Sequence, residues 1–246
     1  MFKDQNTGAC IVTVERELRL LPVLTGFFVA VLLLTPPLDS KFVALGPIEF
    51  PGATLLFPIA FILNDVLTEV YGYGRSRRVI WTGMACQLLA ALCFWVVGVM
   101  PAAPFWHNQE AYSTVLGIVP RIAIGSLIAY FSGEFANSFV LSRLKFAQGG
   151  RTGLAQSWRF VASTLVGEAV DSVAFMGIAF LGVLPFDALI RMLVTIYLLK
   201  VAIEVVALPG STRLANWLKR VEAFDQLDDP AVTRYSPFTL RVSGLG

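Results

Sequence analysis

Apolar residues along this chain fall in long uninterrupted blocks instead of alternating with polar ones, the pattern of helices that cross a bilayer. A spanning helix needs about 20 mostly apolar residues to cross a hydrocarbon core about 30 Å thick. Six blocks qualify, at residues 19–36, 53–71, 79–100, 119–141, 158–184 and 187–209. The predicted fold is therefore all-α, a polytopic membrane protein with six transmembrane helices. Between the first two blocks, 41-KFVALGPIEFPG-52 is too short to cross. It is punctuated by Gly46, Pro47, Pro51 and Gly52, and reads as an ordered loop or re-entrant turn. The chain divides into an N-terminal segment at 1–18, a six-helix transmembrane domain at 19–210 and an amphipathic tail at 211–246.

Composition agrees with this class. Hydrophobic residues make up 56% of the 246 positions and charged residues 15%, with a mean hydropathy of +0.70, which a soluble domain of this length rarely shows. The formal net charge of +2 is too small to suggest a nucleic-acid partner. Cys10, Cys86 and Cys93 form neither a CxxC pair nor an even framework, so they read as reduced packing residues. Residues 1–18 are polar and of mixed charge, without the apolar stretch of a signal peptide, and the first helix is expected to insert the chain.

Basic residues then set the orientation, since short cytoplasmic loops carry the excess of Lys and Arg. Arg75, Arg77 and Arg78 follow the second block, Arg143, Lys145 and Arg151 the fourth, and Arg213, Lys219 and Arg220 the sixth. The other connections hold only Lys41 and Arg191, and none lies between Pro101 and Val119. Both termini are therefore expected in the cytoplasm. In the tail, Leu214, Trp217, Leu218, Val221 and Phe224 recur at helical spacing, which suits either a helix lying at the membrane surface or one docked on the bundle.

Polar residues inside the apolar blocks carry the candidate chemistry, because an ionisable group in a bilayer is costly and usually faces a partner, a cavity or a substrate path. The second block ends in Asn64, Asp65, Thr68 and Glu69. In the fourth, Ser126, Tyr130, Glu134 and Asn137 share one helix face, and in the fifth Thr164, Glu168, Asp171 and Phe175 do the same. Those two blocks repeat the pattern G-E-x-x-[N/D]-S, at Gly133 to Ser138 and Gly167 to Ser172. It brings a small residue for close approach and a polar pair to a similar depth on each of two antiparallel helices. The sixth block adds Lys200 and Glu204, spaced to pair, with Tyr197 on the adjoining surface. Acids outnumber bases here, so the interior favours ligands that donate hydrogen bonds or carry positive charge.

Purely structural readings stand beside these. Residues 64–69 could anchor a helix end by pairing with Arg75, Arg77 or Arg78, the acids of the fourth and fifth blocks could pin helices together, and Lys200 with Glu204 could be an internal ion pair. His107 reads as a solvated loop residue. A rhomboid-like protease needs an intramembrane Ser with a His base, and the sole histidine falls outside the blocks. A GxGD element of an intramembrane aspartyl protease is absent, and no Cys/His cluster implies a metal or other cofactor. A transporter is expected, not an enzyme.

Three phrases, 62-ILNDVLTEVYGYGRSRRVIW-81, 133-GEFANSFVLSRLK-145 and 163-STLVGEAVDSVAFMGIAF-180, resemble the queuosine precursor transporter family, six-helix bacterial membrane proteins also called the vitamin uptake transporter family. The resemblance runs from about Leu33 to Pro209 and includes Lys41. It implies import across the bacterial inner membrane of 7-cyano- or 7-aminomethyl-7-deazaguanine, precursors of queuosine in tRNA. It also implies a likeness to the substrate-binding subunits of energy-coupling-factor transporters. The alternative is therefore a substrate-capture subunit of an ATP-driven vitamin or nucleobase uptake system. The implied partners are the small-molecule substrate and the lipid bilayer, with self-association left open.

A guanine-like edge presents a ring N–H beside an exocyclic amine, which one carboxylate can accept as a pair of hydrogen bonds. Glu168 or Glu134 could read it. Asp171 or Asp65 could meet an aminomethyl cation, Asn137 or Asn64 a carbonyl or nitrile, and Phe175, Tyr130 or Tyr197 the ring face. The expected substrate-binding set is Asn64, Asp65, Glu69, Tyr130, Glu134, Asn137, Glu168, Asp171, Phe175 and Lys200.

Overall fold

The computed structural model describes residues 18–45, 48–117, 120–183 and 185–239. It is helical apart from one small hairpin. Helix α1 spans Leu21–Asp39. Strands β1 (Phe42–Leu45) and β2 (Ile48–Pro51) pair antiparallel, with Phe42 opposite Pro51 and Leu45 opposite Ile48. The segment expected as an ordered turn is thus a hairpin, closed where the Gly52 N–H donates to the Lys41 carbonyl at 2.8 Å. A 3-10 turn at Gly52–Leu55 leads into α2 (Phe57–Tyr71). Then follow α3 (Tyr73–Val99), the short α4 (Gln109–Leu116), α5 (Pro120–Ala147), α6 (Leu154–Phe180) and α7 (Phe186–Val221).

Among the described residues, four helices, α1, α3, α6 and α7, are long and apolar enough to cross a membrane. At 15 residues α2 rises only about 22 Å, short of the hydrocarbon core, while α5 has the length but carries more polar residues. Apolar side chains outside the bundle fit a lipid setting: α3 buries its first turns up to Gly83 and then exposes Leu89, Leu92, Trp95 and Val99.

Two boundaries differ from the sequence expectation. Arg75, Arg77 and Arg78 are not in a loop, because α2 and α3 are joined by Gly72 alone and the three arginines occupy the first turns of α3. Gly72 has φ +82°, and a Cβ there would lie 2.5 Å from Gln226 Cγ, so only glycine makes this corner cheaply. The sixth block also does not end at Pro209. Helix α7 runs through it to Val221, since neighbouring groups in a bundle can absorb the one missing backbone donor. The tail helix is docked, with Ala215 and Leu218 buried in the core and Phe224 packed against it, while Trp217 and Val221 stay exposed.

The main core joins Phe28 and Leu32 of α1, Val66, Leu67 and Val70 of α2, Phe160 of α6 and Leu218 of α7. The most extensive helix pair is α5 with α6. Cys86 and Cys93 are free thiols, while Cys10 and residues 1–17 lie outside the described residues.

Candidate functional site

Polar side chains from four helices meet in one buried layer. Their local logic is helical spacing: Tyr130, Glu134 and Asn137 stack on one face of α5, and Thr164, Glu168 and Asp171 on one face of α6. The motif glycines let these faces close. A Cβ at Gly133 would lie 2.8 Å from Asp171 Cβ, and one at Gly167 would lie 2.7 Å from Asn137 Cβ, both nearer than real side chains come. Each glycine therefore receives the fifth residue of the other helix's motif, and the sequence repeat becomes a reciprocal contact.

Helix α2 is tied to α5 by side-chain bonds. Asn137 Nδ2 donates to Asp65 Oδ1 at 2.6 Å, Ser138 Oγ to Asn64 Oδ1 at 3.0 Å, and Thr68 Oγ1 to Ser138 Oγ at 3.0 Å. On the other side, Lys200 of α7 sits between the two acids of α6, 2.5 Å from Asp171 Oδ2 and 3.1 Å from Glu168 Oε2. The lysine spaced to pair with Glu204 thus spends its charge on α6, while Glu204 lines a cavity with Asp65.

Within this layer several buried polar atoms accept or donate nothing. Neither carboxylate oxygen of Glu134 makes a hydrogen bond of ordinary geometry, although the Asn64 side chain lies close by, nor do the hydroxyls of Tyr130 and Thr164 or Oδ1 of Asn137, and all four residues are buried. An unsatisfied buried polar group costs about 1–3 kcal/mol and calls for an explanation. A bound ligand with complementary donors supplies one.

Glu69 behaves differently from the other acids. Arg159 grips it in a fork, Nε to Oε2 at 2.8 Å and Nη2 to Oε1 at 2.5 Å, and Lys219 reaches Oε1 at 2.5 Å. Lys219 continues to Asp225, and Lys145 bonds both Asp225 and the Glu69 carbonyl. The carboxylate is saturated, and its partners are not the arginines beside it in sequence. Phe175 stands apart as well, half-buried and edge-on to Phe180 at 5.7 Å. Asn64, Asp65, Tyr130, Glu134, Asn137, Glu168, Asp171 and Lys200 are the candidates brought together in the layer.

Sequence reading missed the strap formed by residues 222–239, which lie across the end where α2 turns into α3. Asp228 accepts the Tyr73 N–H at 2.7 Å and the Ser142 hydroxyl at 2.8 Å. Arg77 donates to the carbonyls of Arg234 and Ser236, and Trp81 to that of Pro237. Tyr235 stacks among Tyr73, Phe139 and Arg143, and burial pushes its hydroxyl above the ordinary tyrosine range. The segment has no periodic pattern from which this could be read. The basic clusters at 75–78, 143–151 and 213–220 gather at this same end.

Long lipid-compatible helices around a buried, partly unsatisfied polar layer are the architecture of a multi-pass membrane protein. The sequence model described as "Putative vitamin uptake transporter" matches residues 51–213, and the chain belongs to that family, as the three phrases led us to expect. It is 30% identical over 159 residues to the "Probable queuosine precursor transporter" of Bacillus subtilis, covering 63% of this chain and 67% of that one. It is 32% identical over 124 residues to the "Queuosine precursor transporter" of Escherichia coli, covering 50% and 52%. Identity to the "Probable queuosine precursor transporter" of Haemophilus influenzae is 27% over 128 residues, covering 52% and 50%. The chain thus spans about half the length of the latter two. No solved structure matches it.

Proposed function

We propose that this protein imports 7-deazaguanine precursors of queuosine, the 7-cyano or the 7-aminomethyl compound, across the bacterial inner membrane. It does so through six membrane-crossing segments with both termini in the cytoplasm, the 3-10 turn at Gly52–Leu55 supplying the length that α2 lacks by itself. The observation that carries the reading is the unpartnered carboxylate of Glu134 among other unsatisfied acceptors. Two adjacent acceptor oxygens match the ring N–H and exocyclic amine of a guanine-like edge, a bidentate recognition worth more than two separate bonds. Glu168 and Glu134 begin as equal candidates for that edge. Lys200 stands against both Asp171 and Glu168, and although Glu168 Oε2 also makes no hydrogen bond of ordinary geometry, the acid without a facing cation, Glu134, is assigned the edge, with Asn137 adding an acceptor and Tyr130 a wall. Glu69 and Phe175 drop out of the set on the same reasoning, the first saturated and the second turned to Phe180.

The cavity beside this layer, bordered by Asp65, Thr164 and Glu204, has a volume of about 10 Å³, room for about one water. A two-ring heterocycle enters only when the helices part, as alternating access requires. The names of the relatives support the substrate class. The test is binding by the purified protein: either precursor at about a hundred times its dissociation constant should stabilise the fold by about 2.7 kcal/mol, visible as a melting shift. No shift with either precursor, alongside a shift with an unrelated vitamin, would move the substrate elsewhere and leave only the transporter class.

A further inference from the structure

The same bundle holds a second polar feature, which shares Asp65 with the candidate layer and adds Glu204. Asp65 of α2 and Glu204 of α7 face one small cavity together with Thr164 and Ser211, amid apolar Phe160 and Val201. Both acids are buried, at 1% and 7% exposure. The Thr164 hydroxyl is also buried, lines that cavity and has no hydrogen-bond partner. A space for about one water, bordered by two carboxylates and an unsatisfied hydroxyl, suits a water that relays a hydrogen bond between the acids.

The charges around the pair make its ionisation state the central question. Glu204 is within electrostatic reach of Asp65 on α2, Glu134 on α5, Glu168 on α6 and Lys200 on its own helix. Lys200 is already engaged with Asp171 and Glu168, and the cations near Glu69 are held by that carboxylate and Asp225. Two carboxylates on one nearly enclosed cavity, with Lys200 already bound to two other acids, resist double ionisation, and one of them readily takes up a proton. Asp65 is engaged by the Asn137 amide at 2.6 Å, so the proton exchange is assigned to Glu204.

Resting on the importer reading, we propose that Asp65 and Glu204 form a proton-binding pair that couples import to the inward proton gradient. Glu204 takes one proton from external water, forming an O–H bond. With its charge reduced from two to one, the pair lets α7 repack against α2 and α6, and substrate and proton cross together. The O–H bond then breaks toward cytoplasmic water and the carboxylate is restored. One proton and its positive charge move inward per turnover, and no other reactant is consumed.

The experiment uses the full chain in sodium-free liposomes with the membrane potential clamped. An inward gradient of about one pH unit should hold radiolabelled 7-cyano-7-deazaguanine at about tenfold accumulation, and adding substrate should acidify a trapped pH dye. Glu204→Gln should lose both the accumulation and the dye response while still exchanging labelled for unlabelled substrate. Glu204→Asp, which keeps a titratable carboxyl, should recover coupling and so separate protonation from packing. Wild-type coupling in Glu204→Gln, or accumulation that follows sodium instead, overturns the proposal. A substrate-free measurement keeps it distinct from the substrate reading. One titrating component of the infrared carbonyl band of protonated carboxyls should be present in the purified wild type and missing in Glu204→Gln, where the other buried acids keep theirs. Its persistence in the variant sinks the proton site whichever compound is carried, whereas a titrating band without precursor exchange sinks the substrate assignment alone.

Discussion

A Cβ added at Gly133 would lie 3.0 Å from the carbonyl oxygen of Gly167, and one added at Gly167 would lie 3.1 Å from that of Gly133. The two glycines of the repeated motif thus close α5 onto α6 by a local two-fold relationship. It is this closure that brings Glu134 and Asn137 to the level of Glu168 and Asp171. Alanine at either glycine meets Asp171 or Asn137 as well as backbone, so the helices must separate. Gly133→Ala and Gly167→Ala should each lose about 1–3 kcal/mol of stability, the range for overpacking. Gly177→Ala, with nothing within 4 Å, should be neutral or stabilising by up to about 1 kcal/mol through helix propensity. Thermal unfolding in detergent measures all three.

The fork between Arg159 and Glu69 is fully buried on both sides, and breaking a buried pair by removing one partner costs about 3–5 kcal/mol. Arg159→Met should therefore unfold at markedly lower temperature. Arg159→Lys should rescue it only in part, because an ammonium cannot make both parallel bonds. Unchanged melting in Arg159→Met would argue that Glu69 is held by Lys219 alone.

Much of the candidate layer was legible because it follows from spacing on single helices. Glu134 with Asn137, and Glu168 with Asp171, lie three residues apart, and the glycine before each acid announced close approach. What spacing cannot supply is the partner on another helix. For Glu69 the spacing offers a place in the substrate layer or, alternatively, an arginine among residues 75–78, yet the fold gives it Arg159 and Lys219, 90 and 150 positions away. Lys200 was spaced for Glu204 and instead spends its charge on α6. Pro209 misled for a related reason: it marks a break in an isolated helix, while a bundle tolerates it and carries α7 on to Val221. The strap was invisible because its bonds run from irregular backbone to side chains near Gly72.

Asp228 joins that strap to the first turn of α3 and to α5. Asp228→Ala leaves the Tyr73 N–H and the Ser142 hydroxyl without their acceptor, a loss of about 1–2 kcal/mol for a capping group. It should also loosen residues 222–239, so limited trypsin digestion should cut at Arg234 faster in the variant than in the wild type. Equal digestion rates would mean that Arg77 and Trp81 suffice to hold the strap.

The basic clusters at 75–78, 143–151 and 213–220 gather at one end of the bundle, and the orientation rule places such an end in the cytoplasm. A reporter active only in the periplasm, fused after Gly246, should stay silent, and one fused in the α3–α4 connection near Ala103 should be active. The reverse pattern would invert the orientation and the direction of the proposed proton flow.

The last prediction separates substrate recognition from structure within the layer. Glu134 is buried and its carboxylate makes no hydrogen bond of ordinary geometry, so replacing it with Gln keeps the side chain's shape and removes a buried ionisable group. Folding should be equal or better, as is common when a buried charge is neutralised. Recognition should suffer, because half of the acceptor edge becomes a donor facing the donors of a guanine-like ring. Losing a charge-assisted contact costs about 1.5–3 kcal/mol, or about ten- to a hundredfold in affinity. Glu168→Gln and Asp171→Asn act on the Lys200 cluster instead. Each leaves the lysine one remaining acid, so both should lose stability as well as import. Glu110→Gln, outside the layer at the start of α4, should import normally. Melting temperature and precursor affinity measured on the same samples should therefore move in opposite directions for Glu134→Gln and in the same direction for the α6 variants. Full affinity in Glu134→Gln would return the base-reading role to Glu168.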